Sequence, residues 1–231
     1  MAHFALQRAR SVDTRVGKLS YLIHEPPGFA NDLRPGLLFL HGSGERGQDL
    51  RLLTNTAIPA LIERGKNLPF VTISPQCPAG VSWRTMLAGL SDLLDQVVPE
   101  AAINSERLYL TGISMGGYGA WQLAAEQPER FAALAPLCGG GDPAWAARLK
   151  GLPTWAFHGA KDTVVLPSES KRMVEALERV GAPVKYTLYD DLAHDCWTRA
   201  YDDPELYSWM LGIKQTARAQ GSAAAQATPT P

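Results

Sequence analysis

Seven short apolar segments punctuate the chain, at residues 19–24, 36–41, 70–75, 107–111, 132–137, 154–158 and 185–189. Several are continuous runs, such as Gly36-Leu37-Leu38-Phe39-Leu40, in place of alternating apolar and polar positions. A continuous run fits a strand buried on both faces, as in a parallel sheet between helical layers. Segments with helical spacing lie between them, at 57–63, 85–97, 116–126, 169–180 and 204–212. Ser168 stands where an N-cap would begin the fourth, and Gly181 where a C-terminal stop would end it. Repeated strand–helix–strand units predict right-handed crossovers and a mostly parallel, doubly wound α/β sheet with helices on both faces. In such sheets ligands gather at the C-terminal strand ends, so chemistry is expected in the loops that follow the strands.

Composition narrows the function classes. At 231 residues the chain suits one α/β domain, expected over 1–214. Residues 215–231 (QTARAQGSAAAQATPTP) lack apolar periodicity and read as a disordered tail. Residues 1–11 are basic, but no apolar stretch or small-residue cleavage site follows, so a cytoplasmic location is expected. Twenty-two basic against 23 acidic residues leave a net charge of −1, which gives no reason to expect nucleic acid as partner. No apolar run approaches the ~18–20 residues that span a bilayer, so no membrane partner is expected either. Cys77, Cys138 and Cys196 are an odd number without ligand spacing, arguing against a disulfide framework and a metal site.

The 21 glycines show where to look. After the strand at 107–111 comes Gly112-Ile113-Ser114-Met115-Gly116-Gly117, a G-x-S-x-G between a predicted strand and a predicted helix. Chance supplies about 0.1 such match in a chain of this glycine content, and the strand–turn–helix context is what the motif requires. A sharp turn there strains Ser114 and presents its Oγ at the sheet edge, making it the candidate nucleophile. The plain alternative is a helix-capping serine in a glycine-rich turn.

A serine on such an elbow takes its partners in the chain order Ser, Asp or Glu, His. Only His158 and His194 follow Ser114, and His158 leaves little chain for an intervening acid. His194, in the loop after the last strand, is the candidate base. Asp162, after the strand at 154–158, is the candidate acid, placed to fix the imidazole tautomer. Asp190, Asp191 and Asp195 are its competitors. The loop His41-Gly42-Ser43-Gly44-Glu45-Arg46-Gly47 follows the strand at 36–41, where one oxyanion-hole N–H belongs. Backbone N–H groups of Ser43 and Met115 are the expected donors. A phosphate loop is the rival, but the G-x-x-x-x-G-K-[ST] pattern is missing. Glu45 and Arg46 are positioned to pair and brace this loop.

With those residues in view, the run from Leu38 to Gly47 resembles the oxyanion loop of a branch of bacterial carboxylesterases. That branch is described as phospholipase/carboxylesterase-like, dienelactone-hydrolase-like or "predicted peptidase". Ser74-Pro75-Gln76-Cys77-Pro78 leading to Trp83, the Ser114 elbow, and His194-Asp195-Cys196-Trp197 are similar too. The resemblance implies an α/β-hydrolase fold, a triad on Ser114, Asp162 and His194, and hydrolysis of carboxylic esters without a cofactor. Dienelactone hydrolases proper carry cysteine at the elbow, where this chain has Ser114.

The stretch from Cys138 to Gly151 is too short for a sizeable cap domain, which predicts an open site suited to short acyl esters. Trp83 and Trp197 are candidates to wall the pocket, with core packing as the alternative for each. Tyr118 reads as buried packing and Cys196 as a small hydrophobe. The rival functions are a peptidase or acyltransferase on the same residues, or a non-catalytic binder of small ligands. The substrate expected is a small ester; oligomeric state is not legible.

Overall fold

The apolar runs all enter one eight-stranded sheet in the computed structural model, which describes residues 6–27 and 33–215. The strands are β1 (Arg8–Thr14), β2 (Gly17–His24), β3 (Arg34–Leu40), β4 (Val71–Pro75), β5 (Ile103–Ile113), β6 (Ala133–Leu137), β7 (Thr154–Gly159) and β8 (Val184–Tyr189). They lie side by side in the order β1-β2-β4-β3-β5-β6-β7-β8. β1 and β2 pair antiparallel, as do β2 and β4, and every pairing from β4 to β8 is parallel. The central strands β3, β4, β6 and β7 are buried at nearly every position, as continuous apolar runs require.

The helices are α1 (Ala57–Glu63), α2 (Leu87–Glu100), α3 (Met115–Glu126), α4 (Ala146–Leu149), α5 (Ser168–Arg179), α6 (Trp197–Asp202) and α7 (Pro204–Leu211). Two core layers result. One holds Leu90, Leu94, Trp121, Leu123, Met173 and Leu177 from α2, α3 and α5 against one face of the sheet. The other holds Ile58, Ile62, Tyr201, Leu206 and Met210 from α1, α6 and α7 against the opposite face. Among the described residues, no helix is long and apolar enough to cross a membrane.

Three local expectations need correction. β1 was unforeseen: of its seven residues only Val12 is buried, so no apolar pattern marks it. A two-residue loop, Arg15-Val16, folds it onto β2, and Gly17 takes the positive φ of +107° that closes the hairpin. Ser168 is the first residue of α5 with no capping side-chain bond at that end. Gly181 does end α5: at φ +69° it donates to Glu178 O while Ala182 N–H donates to Leu177 O, a Schellman pair. Of the expected tail, Gln215 N–H is tied to Glu106 O, and 216–231 lie outside the described residues.

Candidate active site

Ser114 occupies a turn built by backbone packing. Its φ of 51° and ψ of −116° lie where side-chain-bearing residues seldom go, a strain of about 1–3 kcal/mol. Glycines permit the turn. A Cβ on Gly112 would stand 2.4 Å from Gly116 O, and one on Gly116 only 1.9 Å from Leu40 O. The turn is held at both ends, since Ser114 N–H donates to Leu137 O (3.0 Å) and Tyr118 N–H to Ser114 O (3.1 Å). Ser114 is therefore fixed between β5 and α3 with its side chain partly exposed.

His194 lies 80 residues along the chain, yet its Nε2 sits 2.9 Å from Ser114 Oγ. Its Nδ1 sits 2.7 Å from Asp162 Oδ2. The carboxylate is 2% exposed and so depends on protein donors. Val164 and Val165 N–H groups donate to Oδ1 at 2.9 and 3.0 Å. Burial pushes the Asp162 pKa up, but the bonds from His194, Val165 and Val164 outweigh it and hold the group below the usual carboxylate range.

The loops bearing acid and base are joined directly. Ala160 N–H donates to Tyr189 O and Lys161 N–H to Leu192 O, both at 2.9 Å. At Gly159 a Cβ would meet Ala193 O at 2.1 Å, so backbone lies on backbone here. Two of the three competing acids are engaged elsewhere: Asp191 holds Arg199 through both oxygens, and Asp195 caps Thr198 at the start of α6.

The loop after β3 is pinned from behind. His41 is fully buried; its Nδ1–H donates to Gly42 O (2.5 Å) and its Nε2 accepts from Cys77 N–H (2.9 Å). Burial lowers its pKa to about 4, so the ring is neutral with its tautomer fixed. Gln76 Nε2 donates to Glu45 O and Asp49 O, both at 2.9 Å. Ser43, at the exposed tip, opens a short 3₁₀ turn. The expected Glu45–Arg46 pair does not form: Arg46 donates to Ser43 O and Val81 O, while Glu45 faces His41 Nδ1 at 3.8 Å.

The two tryptophans part company. Trp83 is fully buried, its Nε1–H donating to His41 O (2.9 Å) and its ring edge-on to His41. It supports the loop from the core and does not wall a pocket, correcting the expectation. Trp197 is half-buried, and its ring meets His194 edge-to-face at 5.3 Å between centroids. Tyr118, expected as packing, is instead half-exposed on a cleft of about 350 Å³. Arg84, Asp142, Trp145, Glu169 and Arg172 line the same cleft. Tyr118 is one helical turn from Ser114, roughly 6 Å along α3. A larger groove of about 590 Å³ beside α6 is lined by Asp195, Arg199, Asp202 and Asp203; neither it nor the Tyr118 cleft has Ser114 or His194 among its lining residues.

Sequence reasoning passed over His41, Gln76 and His158. His158 was set aside as a base, yet it is fully buried with Nε2 3.2 Å from Asp162 Oδ2. Polar side chains at the ends of otherwise apolar strands β3, β4 and β7 were the available signal.

A mostly parallel sheet in this order, with a strained serine between the central strand and its helix, defines an α/β-hydrolase. The chain belongs to the Esterase family, whose model matches residues 68–200. It is 33% identical to the poly(3-hydroxyoctanoate) depolymerase of Pseudomonas fluorescens over 42% of this chain and 43% of that protein. It superposes on a thermostable esterase of known structure with a TM-score of 0.79, covering 90% of this chain and 63% of that one at 29% identity. The feruloyl esterase module of Clostridium thermocellum, solved with sinapinate, shares the fold (TM-score 0.71, 90% of this chain, 88% of that one) at 13% identity. The chain thus spans less than half of the depolymerase and under two thirds of the thermostable esterase.

Proposed function

We propose that this chain is a serine carboxylesterase acting on short-chain esters through an acyl-enzyme. The observation that carries the proposal is the unbroken hydrogen-bonded line from Asp162 through His194 to a strained, accessible Ser114. Ser114 Oγ attacks the ester carbonyl carbon as its proton passes to His194 Nε2. The oxyanion is received by the N–H groups of Ser43 and Met115, each worth on the order of 3–4 kcal/mol in comparable sites. As the tetrahedral adduct collapses, the carbon–oxygen bond to the alcohol breaks and His194 returns its proton to that oxygen. Water then enters, giving a proton to His194, and attacks the acyl carbon; the carboxylic acid leaves and Ser114 regains its proton. Asp162 stays ionised throughout and holds His194 Nδ1–H.

The stretch from Cys138 to Gly151 holds only a short 3₁₀ turn and the four-residue α4, too little for a cap over the site, which supports short acyl esters over long alkyl chains. Three free, buried cysteines suit a reducing compartment, in keeping with a cytoplasmic enzyme. The test is Ser114→Ala against wild type on p-nitrophenyl acetate, butyrate and octanoate. Loss of several orders of magnitude, with fluorophosphonate labelling of the wild type alone, is expected. Survival of activity in the variant would overturn the mechanism.

A further inference from the structure

Asp162 serves two imidazoles. His194 Nδ1 lies 2.7 Å from Oδ2, and His158 Nε2 lies 3.2 Å from the same oxygen. Both His158 and the carboxylate are sealed from solvent. Val165 O, 2.9 Å from His158 Nε2, can only accept, so that nitrogen carries a proton and gives it to Val165 O, with Asp162 Oδ2 beside it at 3.2 Å. Burial lowers the pKa of His158, in keeping with a neutral ring. With Val164 and Val165 N–H on Oδ1, each carboxylate oxygen then faces two donors.

The ring is held from its other side as well. Ser170 Oγ, on α5, lies 2.7 Å from both His158 Nδ1 and Gly139 O, and its one proton is shared between these two acceptors. Gly139 packs against Gly117 and Tyr118 on α3, where a Cβ would approach Gly117 C to 2.6 Å. A buried line of contacts therefore runs from the Ser114 helix, packed on Gly139, through Ser170 and His158 to Asp162.

We infer that His158 is a positioning residue of the esterase reaction: its Nε2–H fixes Asp162 Oδ2 and tempers that oxygen's pull on His194. The inference rests on the serine esterase reading. Without this N–H, Oδ2 accepts more strongly from His194 and stabilises the imidazolium, so the base loses its proton only at higher pH. Facing His194 are Asp162 after β7, Ser114 at the elbow and Trp197 of α6; facing His158 are Asp162, Ser170 of α5 and His194. The buried thiol of Cys138 nearby is kept neutral by burial.

The experiment compares His158→Phe, which removes the N–H, with His158→Gln, whose amide reaches the Nε2 position, and His158→Asn, whose amide does not. Rates of p-nitrophenyl acetate hydrolysis across pH are normalised to sites titrated by a fluorophosphonate. His158→Phe and His158→Asn are expected to lose about 10- to 100-fold in kcat with KM nearly constant, and to move the acid limb of kcat/KM up by about half a pH unit. His158→Gln is expected to keep the wild-type limb and most of kcat. If His158→Phe does not fold, the Gln and Asn pair decides. Superimposable limbs for those two, or a wild-type limb in His158→Phe, overturn the inference. A wild type that takes no fluorophosphonate sinks the serine reading and this inference with it.

Discussion

Replacing Asp162 with Asn tests the acid most sharply, because the structure dictates how the amide must sit. Oδ1 accepts two backbone N–H groups, so the amide oxygen is compelled to that side. Its NH2 then faces His194 Nδ1 at the present 2.7 Å and His158 Nε2 at 3.2 Å. A donor at Nδ1 drives His194 into the tautomer with its proton on Nε2, which cannot take the proton of Ser114. The expected fall in kcat is about 10⁴-fold, the size seen when a triad aspartate is so replaced, or about 5.5 kcal/mol of transition-state stabilisation. The facing donors on His158 also cost about 1–3 kcal/mol of folding stability. Initial rates on p-nitrophenyl acetate measure the first effect and urea unfolding the second. A folded Asp162→Asn protein with a tenth or more of wild-type kcat would refute the role assigned to Asp162.

Two further outcomes concern stability. His41 is held neutral with a pKa of about 4 against an ordinary 6.5, so the unfolded chain binds a proton in that window and the folded chain does not. Stability is therefore expected to fall by about 3 kcal/mol as pH drops from 6.5 to 4, His158 acting in the same direction. Urea midpoints near pH 7 and pH 4.5 should differ accordingly, and equal midpoints would contradict a buried neutral His41. Gly116→Ala puts a Cβ 1.9 Å from Leu40 O and 2.7 Å from His41 O, both backbone atoms. A loss above about 3 kcal/mol, or no folded protein, is expected by circular dichroism; a loss under 1 kcal/mol would mean that β3 yields easily.

The sheet was legible where burial leaves a mark. β3, β4 and β7 are covered on both sides and so read as unbroken apolar runs. β1 is an edge strand with one buried side chain, and α6 is six residues long with two, so neither has a pattern to read. Ser114, Asp162 and His194 could be picked out because the G-x-S-x-G elbow marks the serine, its partners follow in a set chain order, and only two histidines come after it. Trp83 could not be assigned, because a tryptophan in that loop looks the same in sequence whether its ring points up or down. The bond to His41 O decides the direction. His158 and Asp162 are four apart, but in a strand end and loop, where that spacing carries no message. Their meeting depends on how the Asp162 loop turns back onto β7.

The backbone seam at Gly159 makes the proposed acid and base a single module. Because the carbonyls of Leu192 and Ala193 lie on Gly159, the ends of β7 and β8 cannot be exchanged separately between relatives. A chimera that imports a foreign His194 loop without the matching 159–162 segment would misplace the imidazole even with every catalytic side chain present. Recombination across this family should therefore succeed when crossovers fall before β7 or after α6, and fail between them.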